Sequence, residues 1–264
     1  MTLSVVLITG NEEANIERTL ASVRPLMQDP GGEMIVVDSE SADRTVEIAR
    51  RMGAKVFVES WKGFAAQKNS AIDKAACAWV LLLDADESVP APLCEEIRQA
   101  MRDAPAGVDG YLLPRMNYYF GRWIRHGGYW PDRKLRLFRL GKGRVADRPV
   151  HEDVEVSGRV GKLRNGLYHD AYPTLASCFQ TMDWYSTLKA QHLMQKGYRG
   201  FSFLYIVIAP VCQFLYNYLL RGGFLDGKPG FIVHLYQSIY IVLSFAKVWE
   251  ATRGVGRDSH RCPF

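Results

Sequence analysis

The stretch Trp79–Glu87, WVLLLDADE, decides the fold class of this 264-residue chain. Its first five residues are apolar, which is typical of a strand buried on both faces, and the strand leads directly into Asp84 and Asp86. Three further β-branched runs precede it: Leu3–Ile8, Met34–Val37 and Lys55–Glu59. Amphipathic stretches separate these runs, so the sequence predicts βαβ units and an α/β fold with a mostly parallel central sheet and flanking helices.

The stretches between the strands have helical periodicity. Ile16, Leu20 and Val23 fall on one helical face, which predicts a helix packed on the sheet. Ser41 is expected to cap a second helix that runs through Met52, because its hydroxyl can accept a hydrogen bond from a free first-turn amide.

Composition limits the class of protein. Hydrophobic residues make up 48% and charged residues 23%, an ordinary globular balance, and the net charge of +5 is spread along the chain. This pattern favours an anionic substrate or lipid surface, and no basic-aromatic module for nucleic acid is present. The five cysteines form no CxxC pair, which argues against a disulfide framework or a zinc site. The N-terminus runs straight into a strand, so we expect no signal peptide and a cytoplasmic catalytic part.

Two apolar stretches, 201–220 and 231–246, lie near the C-terminus. Polar residues recur three or four positions apart in both, which favours a pair of helices lying in the headgroup region of a membrane. A hairpin of two spanning helices and a homodimer interface are the alternatives.

The acidic pair is the strongest chemical signal. In an open α/β sheet ligands bind at the carboxyl ends of the strands, where Asp84 and Asp86 can both approach one Mg²⁺ or Mn²⁺ ion and the diphosphate it carries. The alternative is that they only cap the next turn. Asp38 ends the second strand at the same edge, where it can bind a base or ribose or can simply mark the start of a helix.

With these residues, positions 3 to about 100 resemble glycosyltransferase family 2, whose GT-A fold has an Asn-Glu turn after the first strand, a strand-ending Asp and then an Asp-x-Asp motif. The resemblance implies inverting transfer of a sugar from a nucleotide-diphosphate donor, in the first instance a UDP-sugar, with Mg²⁺ or Mn²⁺ as cofactor. It assigns the base to Ile8, Gly10 and Glu12, the base or ribose to Asp38, and the ribose, metal and diphosphate to Asp84, Ala85 and Asp86.

Gly10 and Lys68 differ in how well they match the family. Gly10 departs from the family, because many members carry an aromatic residue there. Lys68 stands where members often have a basic residue facing the nucleotide, although a solvated helix lysine is the alternative.

The second half, with YWPDRKLRLFR and RPVHED, resembles the subgroup of the family that includes lipopolysaccharide core glycosyltransferases. Inverting transfer requires a carboxylate that takes the proton of the attacking acceptor hydroxyl. We choose Glu152 for this role, with Asp153 as the near alternative and Asp132 as the more distant one.

Histidines and arginines complete the predicted site. His151 and His169 can bind a metal ion or a diphosphate oxygen, and His169 is favoured as a downstream metal ligand. Arg136 and Arg139 can clamp phosphates of the donor or the acceptor, although a solvated strand face explains the same pattern.

We therefore predict a metal-dependent hexosyltransferase that acts on a lipid-linked saccharide, such as a lipopolysaccharide core, at the cytoplasmic face of the inner membrane as a peripheral or monotopic protein. The predicted domains are a GT-A domain over 1–197, with a nucleotide-sugar half 1–105 and an acceptor half 106–197, and a membrane-associated helical region over 198–264. A polyprenyl-phosphate glycosyltransferase and an inactive nucleotide-sugar-binding membrane protein are the alternative functions.

Overall fold

The computed structural model describes residues 2–28, 31–146 and 153–253. Four parallel strands form one half of its main sheet, in the order β3-β2-β1-β4. They are β1 (Leu3–Thr9), β2 (Glu33–Asp38), β3 (Lys55–Val58) and β4 (Trp79–Leu83). Every residue of β1 and β4 is buried, which explains why β4 is a continuous apolar run and why β1 is apolar except for Ser4 and Thr9.

Helices cover both faces of this parallel half. They are α1 (Ile16–Val23), α2 (Thr45–Arg51), α3 (Phe64–Asp73) and α4 (Ala91–Arg102), and a short 3-10 helix, Arg24–Met27, follows α1. Ile16, Leu20 and Val23 are fully buried, as their spacing predicts. A large hydrophobic core cluster joins them to β1 and β4.

The predicted helix cap at Ser41 is wrong. Helix α2 begins only at Thr45, and the Ser41 hydroxyl accepts from the Asn11 amide at 2.8 Å instead of from a first-turn amide. It donates to the carboxylate of Asp38 at 2.6 Å. The Thr45 amide donates to the Asp43 carboxylate at 3.0 Å.

The second half of the chain extends the sheet with mostly antiparallel pairs, in the order β4-β8-β6-β12-β5. These strands are β5 (Glu87–Ser88), β6 (Val108–Tyr119), β7 (Arg122–Trp123), β8 (Asp132–Arg139), β9 (Gly143–Val145), β10 (Val154–Val156), β11 (Arg159–Lys162) and β12 (Leu167–Tyr172). β9 and β10 form a separate antiparallel pair, and β7 and β11 pair with β6.

The C-terminal part is helical. It contains α5 (Leu175–Gln195), α6 (Ala209–Leu215), which is flanked by π-helices Leu204–Ile208 and Tyr216–Leu220, a 3-10 helix Gly223–Asp226, and α7 (Gly227–Thr252). By length and composition the helical stretch Gly223–Thr252 is long and apolar enough to cross a membrane, with a mean hydropathy of 1.5. Leu204–Leu220 is apolar but shorter.

The chain divides into two compact units, Met1–Asn117 with Pro131–Ala171, and Tyr118–Trp130 with Tyr172–Phe264. The predicted domains 1–197 and 198–264 stay a prediction. All the site residues described below belong to the first unit.

Candidate active site

The loops that follow β1 and β2 are locked together by Asp38. This fully buried carboxylate accepts hydrogen bonds from the Thr9 hydroxyl at 2.7 Å, from the Ser41 amide at 2.8 Å and from the Ser41 hydroxyl. Thr9 and Asp38 are direct partners in the β1–β2 register, which brings them together. Asp38 therefore orders the loop at the sheet edge, and its predicted contact with base or ribose stays a prediction.

The Asn-Glu turn is held by the same loop. Asn11 adopts a φ of 57°, and its amide donates to the Ser41 hydroxyl at 2.8 Å. The Glu12 amide donates to the Thr45 hydroxyl at 2.7 Å. These bonds fix the backbone from which the Glu12 side chain projects.

Asp84 is neutralised by two cations from the chain itself. Lys68 Nζ lies 2.9 Å from its Oδ1, and Arg136 Nη2 donates to its Oδ2. Burial acts to raise the pKa of Asp84, but Arg136 and Lys68 outweigh it and hold this pKa well below its usual range. Lys68 is only 9% exposed, so the alternative of a solvated helix lysine is wrong.

Glu87, which the sequence analysis did not single out, holds the Asp84–Asp86 turn in place. It is fully buried, accepts from Arg136 Nη2 at 2.7 Å and from the Asp84 amide at 3.0 Å, and lies 3.6 Å from Arg115. The predicted solvated strand face is therefore also wrong for Arg136, which is 6% exposed.

Asp86 faces His169. The β5–β12 ladder pairs His169 with Glu87, and the Asp170 amide donates to the Asp86 carbonyl at 3.1 Å. As a result, His169 Nε2 lies 3.3 Å from Asp86 Oδ2, and both side chains remain partly accessible, at 15% and 31%. The structure thus brings together two residues that are far apart in sequence and that were both predicted to bind metal.

Two residues behind His169 connect it to the buried ion pairs. Asn117 Oδ1 lies 2.7 Å from His169 Nδ1, and Asn117 Nδ2 donates to Asp132 Oδ2 at 3.2 Å. Arg115 donates to the same carboxylate through Nε and Nη2, at 2.9 and 2.7 Å. Burial acts to raise the pKa of Asp132, but Arg115 outweighs it and the pKa is lowered. An engaged carboxylate with a lowered pKa is a poor general base.

Glu12 adds negative charge beside Asp86. Its pKa is raised by burial, lowered in part by the Asn15 hydrogen bond of 2.9 Å, and raised further by the charge of Asp86. Asp86 and Glu12 therefore act on each other through their charges, and a cation at Asp86 would be attracted by both carboxylates.

These residues fit a divalent ion at Asp86 and His169. No group of three His, Cys, Asp or Glu side chains that could hold a metal is found in residues 2–28, 31–146 and 153–253. Two protein ligands are nevertheless sufficient in a nucleotide site, because Mg²⁺ there takes one or two carboxylates plus phosphate oxygens and water. A carboxylate and an imidazole also suit Mn²⁺. Asp84, already engaged by Lys68 and Arg136, fits a metal less well.

The other residues that were predicted for the site lie at different places in the chain. Ile8 is buried in β1, Gly10 is exposed just after the end of that strand, and the Ala85 carbonyl accepts from the Thr19 hydroxyl at 2.6 Å. Asp153 is exposed and lies 3.8 Å from Lys134. His151 and Glu152 lie outside the described residues.

Arg139 is not brought to this edge. It pairs with Trp79 at the opposite end of β4, stacks on that ring at 4.6 Å and lies 3.5 Å from Asp109, because β8 runs antiparallel to β4.

The sequence of the site half matches a known family. The model of glycosyl transferase family 2 matches residues 4–155, which is more than half of the chain. The chain belongs to glycosyl transferase family 2. A relative, the lipopolysaccharide core biosynthesis glycosyltransferase LpsC of Rhizobium meliloti, is 30% identical over 94% of this chain and 92% of its own length. This confirms the predicted resemblance to that subgroup.

Two other comparisons concern a second relative and the fold. An uncharacterized glycosyltransferase of Rickettsia typhi is 31% identical over 94% of this chain and 87% of its own length. The solved structure of the mannosyltransferase PcManGT from Pyrobaculum calidifontis, in complex with GDP-Man and Mn²⁺, is 18% identical and matches with a TM-score of 0.54 over 93% of this chain and 86% of that chain. The predicted GT-A fold is confirmed.

The acidic motif was predicted from the sequence. Three residues that hold the site together were not predicted: Glu87, Arg115 and Asn117. Glu87 stands within the quoted LLLDADE run, and its closeness to the pair was the one available signal. Arg115 and Asn117 lie on β6, and only the β6–β8 and β5–β12 pairings bring them to the motif.

Proposed function

We propose that this glycosyltransferase moves a sugar from a nucleotide-diphosphate donor, UDP-sugar being the first to test, to a lipid-linked saccharide acceptor such as a lipopolysaccharide core, with inversion at the anomeric carbon. The transfer depends on Mg²⁺ or Mn²⁺. It takes place at the cytoplasmic face of the inner membrane.

The observation that carries the proposal is the 3.3 Å approach of His169 Nε2 to Asp86 Oδ2 beside Glu12. Two acceptor atoms at this distance repel one another unless a proton or a cation lies between them. A metal ion held by Asp86 and His169 supplies positive charge to the diphosphate as it leaves. The ion would lie at the carboxyl edge of the parallel strands, where open α/β sheets bind nucleotides.

The chain's own residues have distinct roles in the proposal. Lys68 and Arg136 hold Asp84 ionised, and Asp84 is then placed to accept a hydrogen bond from the ribose. The loops joined by Asp38, including Glu12, flank the base.

The acceptor hydroxyl attacks from the face opposite the nucleotide. Glu152 takes its proton, with Asp153 as the alternative base. The new bond joins the acceptor oxygen to the anomeric carbon, and the bond between that carbon and the diphosphate oxygen breaks. The bonding electrons leave on the nucleotide diphosphate.

A membrane-held acceptor is supported by the second unit. Between Tyr172 and Arg253 there are seven Lys and Arg residues against three Asp and Glu. Large apolar side chains are exposed there, among them Leu220 at 79% and Leu225 at 57%. Exposed apolar area combined with excess positive charge suits an anionic lipid surface. The lipopolysaccharide core enzyme named above is a relative of matching length.

The test is nucleotide release from UDP-sugars with core oligosaccharide–lipid and, separately, with polyprenyl phosphate. We expect Mn²⁺-dependent turnover on the first acceptor and its loss in Asp86→Ala and Glu152→Gln. Asp103→Asn, an exposed change at the end of α4, is the matched control and retains turnover. Full activity in both site variants would end the proposal, and turnover only on polyprenyl phosphate would replace the acceptor.

A further inference from the structure

Asn117 lies behind the candidate metal ligand and does not face the donor. It is 5% exposed, and its amide bridges His169 and Asp132. We infer that Asn117 is a positioning residue that fixes the protonated nitrogen of His169, so that Nε2 presents its lone pair to the cation. This inference rests on the proposed metal site at Asp86 and His169.

The orientation of the Asn117 amide follows from Asp132. Asp132 is bound by Arg115 at 2.7 and 2.9 Å, and an ionised carboxylate can only accept hydrogen bonds. The Asn117 group 3.2 Å from Asp132 Oδ2 must therefore be the NH₂ group. The amide oxygen is left to face His169.

The amide oxygen in turn selects the tautomer of the imidazole. An amide oxygen only accepts, so the His169 Nδ1 atom 2.7 Å away must carry the hydrogen. Nε2 of a neutral ring then carries the lone pair, and it points at Asp86 Oδ2. Metal-binding histidines characteristically donate their other ring N–H in this way, which sets both the tautomer and the ring angle.

The anchor behind Asn117 is rigid. Arg115, which binds Asp132, also lies 3.6 Å from the fully buried Glu87, and Glu87 accepts from the Asp84 amide. The His169 ring is thus held in a fixed position relative to the turn that carries Asp86. Loss of the Asn117 amide frees the ring to rotate and to adopt the other tautomer.

The first test is Mn²⁺ binding to the full chain, measured by electron paramagnetic resonance titration in the presence of UDP, whose diphosphate completes the proposed site. Asn117→Ala should weaken Mn²⁺ binding about 10–100-fold, the usual cost of losing such a partner. Asn165→Ala is the matched control, because that exposed amide bonds only Glu96 and the Pro92 carbonyl; it should bind Mn²⁺ like the unaltered protein. Unchanged affinity in Asn117→Ala would overturn the inference.

The second test uses no variant of Asn117. In ¹⁵N-histidine NMR of the metal-free protein at alkaline pH, the His169 signals, assigned through His169→Gln, should show the hydrogen on Nδ1. A hydrogen on Nε2 would overturn the inference. If the unaltered protein turns over the donor but Asn117→Ala leaves Mn²⁺ affinity unchanged, only the positioning role of Asn117 is refuted. Absence of any turnover or Mn²⁺ binding in the unaltered protein would refute the proposed function itself.

Discussion

Lys68 Nζ lies 2.9 Å from Asp84 Oδ1, whereas Asp86, two residues later, faces His169 and the raised-pKa carboxyl of Glu12. The two aspartates of one motif thus have different electrostatic tasks. Asp84 completes a buried network of charges, and Asp86 remains available for an added cation.

This difference predicts opposite effects on stability. Asp84→Asn leaves Lys68 and Arg136 without their shared carboxylate and should lower the free energy of unfolding by about 3 kcal/mol. Asp86→Asn removes repulsion with Glu12 and should leave the melting temperature unchanged or higher, while Mn²⁺ binding is lost. Thermal unfolding with and without Mn²⁺ measures both. Equal destabilisation by the two changes would contradict the division of tasks.

Substitutions of the two arginines that were predicted to bind phosphate should differ in their effects on stability and turnover. Arg136→Lys loses the Nη2 donor that bonds Asp84 and Glu87, so we expect a loss of about 2–3 kcal/mol in stability and at least a tenfold loss in turnover. Arg139→Lys keeps a cation over Trp79, far from the site, and should change turnover less than twofold. A similar loss of turnover in both variants would show that Arg139 acts in the site.

Glu12 predicts a pH dependence. Its folded-state pKa is raised above the usual 4.5, first by burial and then by the charge of Asp86, against the Asn15 hydrogen bond. The folded protein holds this proton more tightly than the unfolded chain, so the free energy of unfolding falls as the pH rises from 4.5 through the raised pKa.

Glu12→Gln should remove that decline and raise the melting temperature at pH 7, by about 2–4 °C for each kcal/mol of repulsion that is relieved. Melting curves at pH 5 and pH 7 check this, with Glu95→Gln, an exposed residue of α4, as the control. A variant that melts lower than the unaltered protein at pH 7 would refute the prediction.

Membrane binding should depend on the second unit. Removing the exposed Leu220 and Leu225 side chains in Leu220→Ser/Leu225→Ser should weaken binding to anionic vesicles about tenfold, since burial of each leucine contributes roughly 1.5–3 kcal/mol when complete. Val160→Ser in β11 is the control. Flotation with phosphatidylglycerol and phosphatidylcholine vesicles measures both variants, and an unchanged distribution would rule out this surface.

The parallel half of the fold was predictable from sequence because its signals are local. Apolar runs such as Trp79–Leu83 fix the strands, and helical spacing fixes α1. The helix start after Asp38 was predicted wrongly, because the Ser41 hydroxyl accepts from the amide of Asn11, which is distant in sequence, and not from a first-turn amide.

The site was predicted only in part for a related reason. The acidic pair and His169 could be named from residue type and resemblance. Arg115 and Asn117 could not, because they reach the motif and Asp132 only through antiparallel pairing of β6 with β8. The same long-range pairing carries Arg139 away from it.

The most direct test of the central claim is calorimetric titration of UDP into the protein with and without Mn²⁺, repeated with Asp86→Asn. A cation shared by Asp86, His169 and the diphosphate predicts UDP binding at least tenfold tighter with Mn²⁺ in the unaltered protein, and no such gain in the variant. Equal UDP affinity with and without Mn²⁺ in the unaltered protein would contradict the claim.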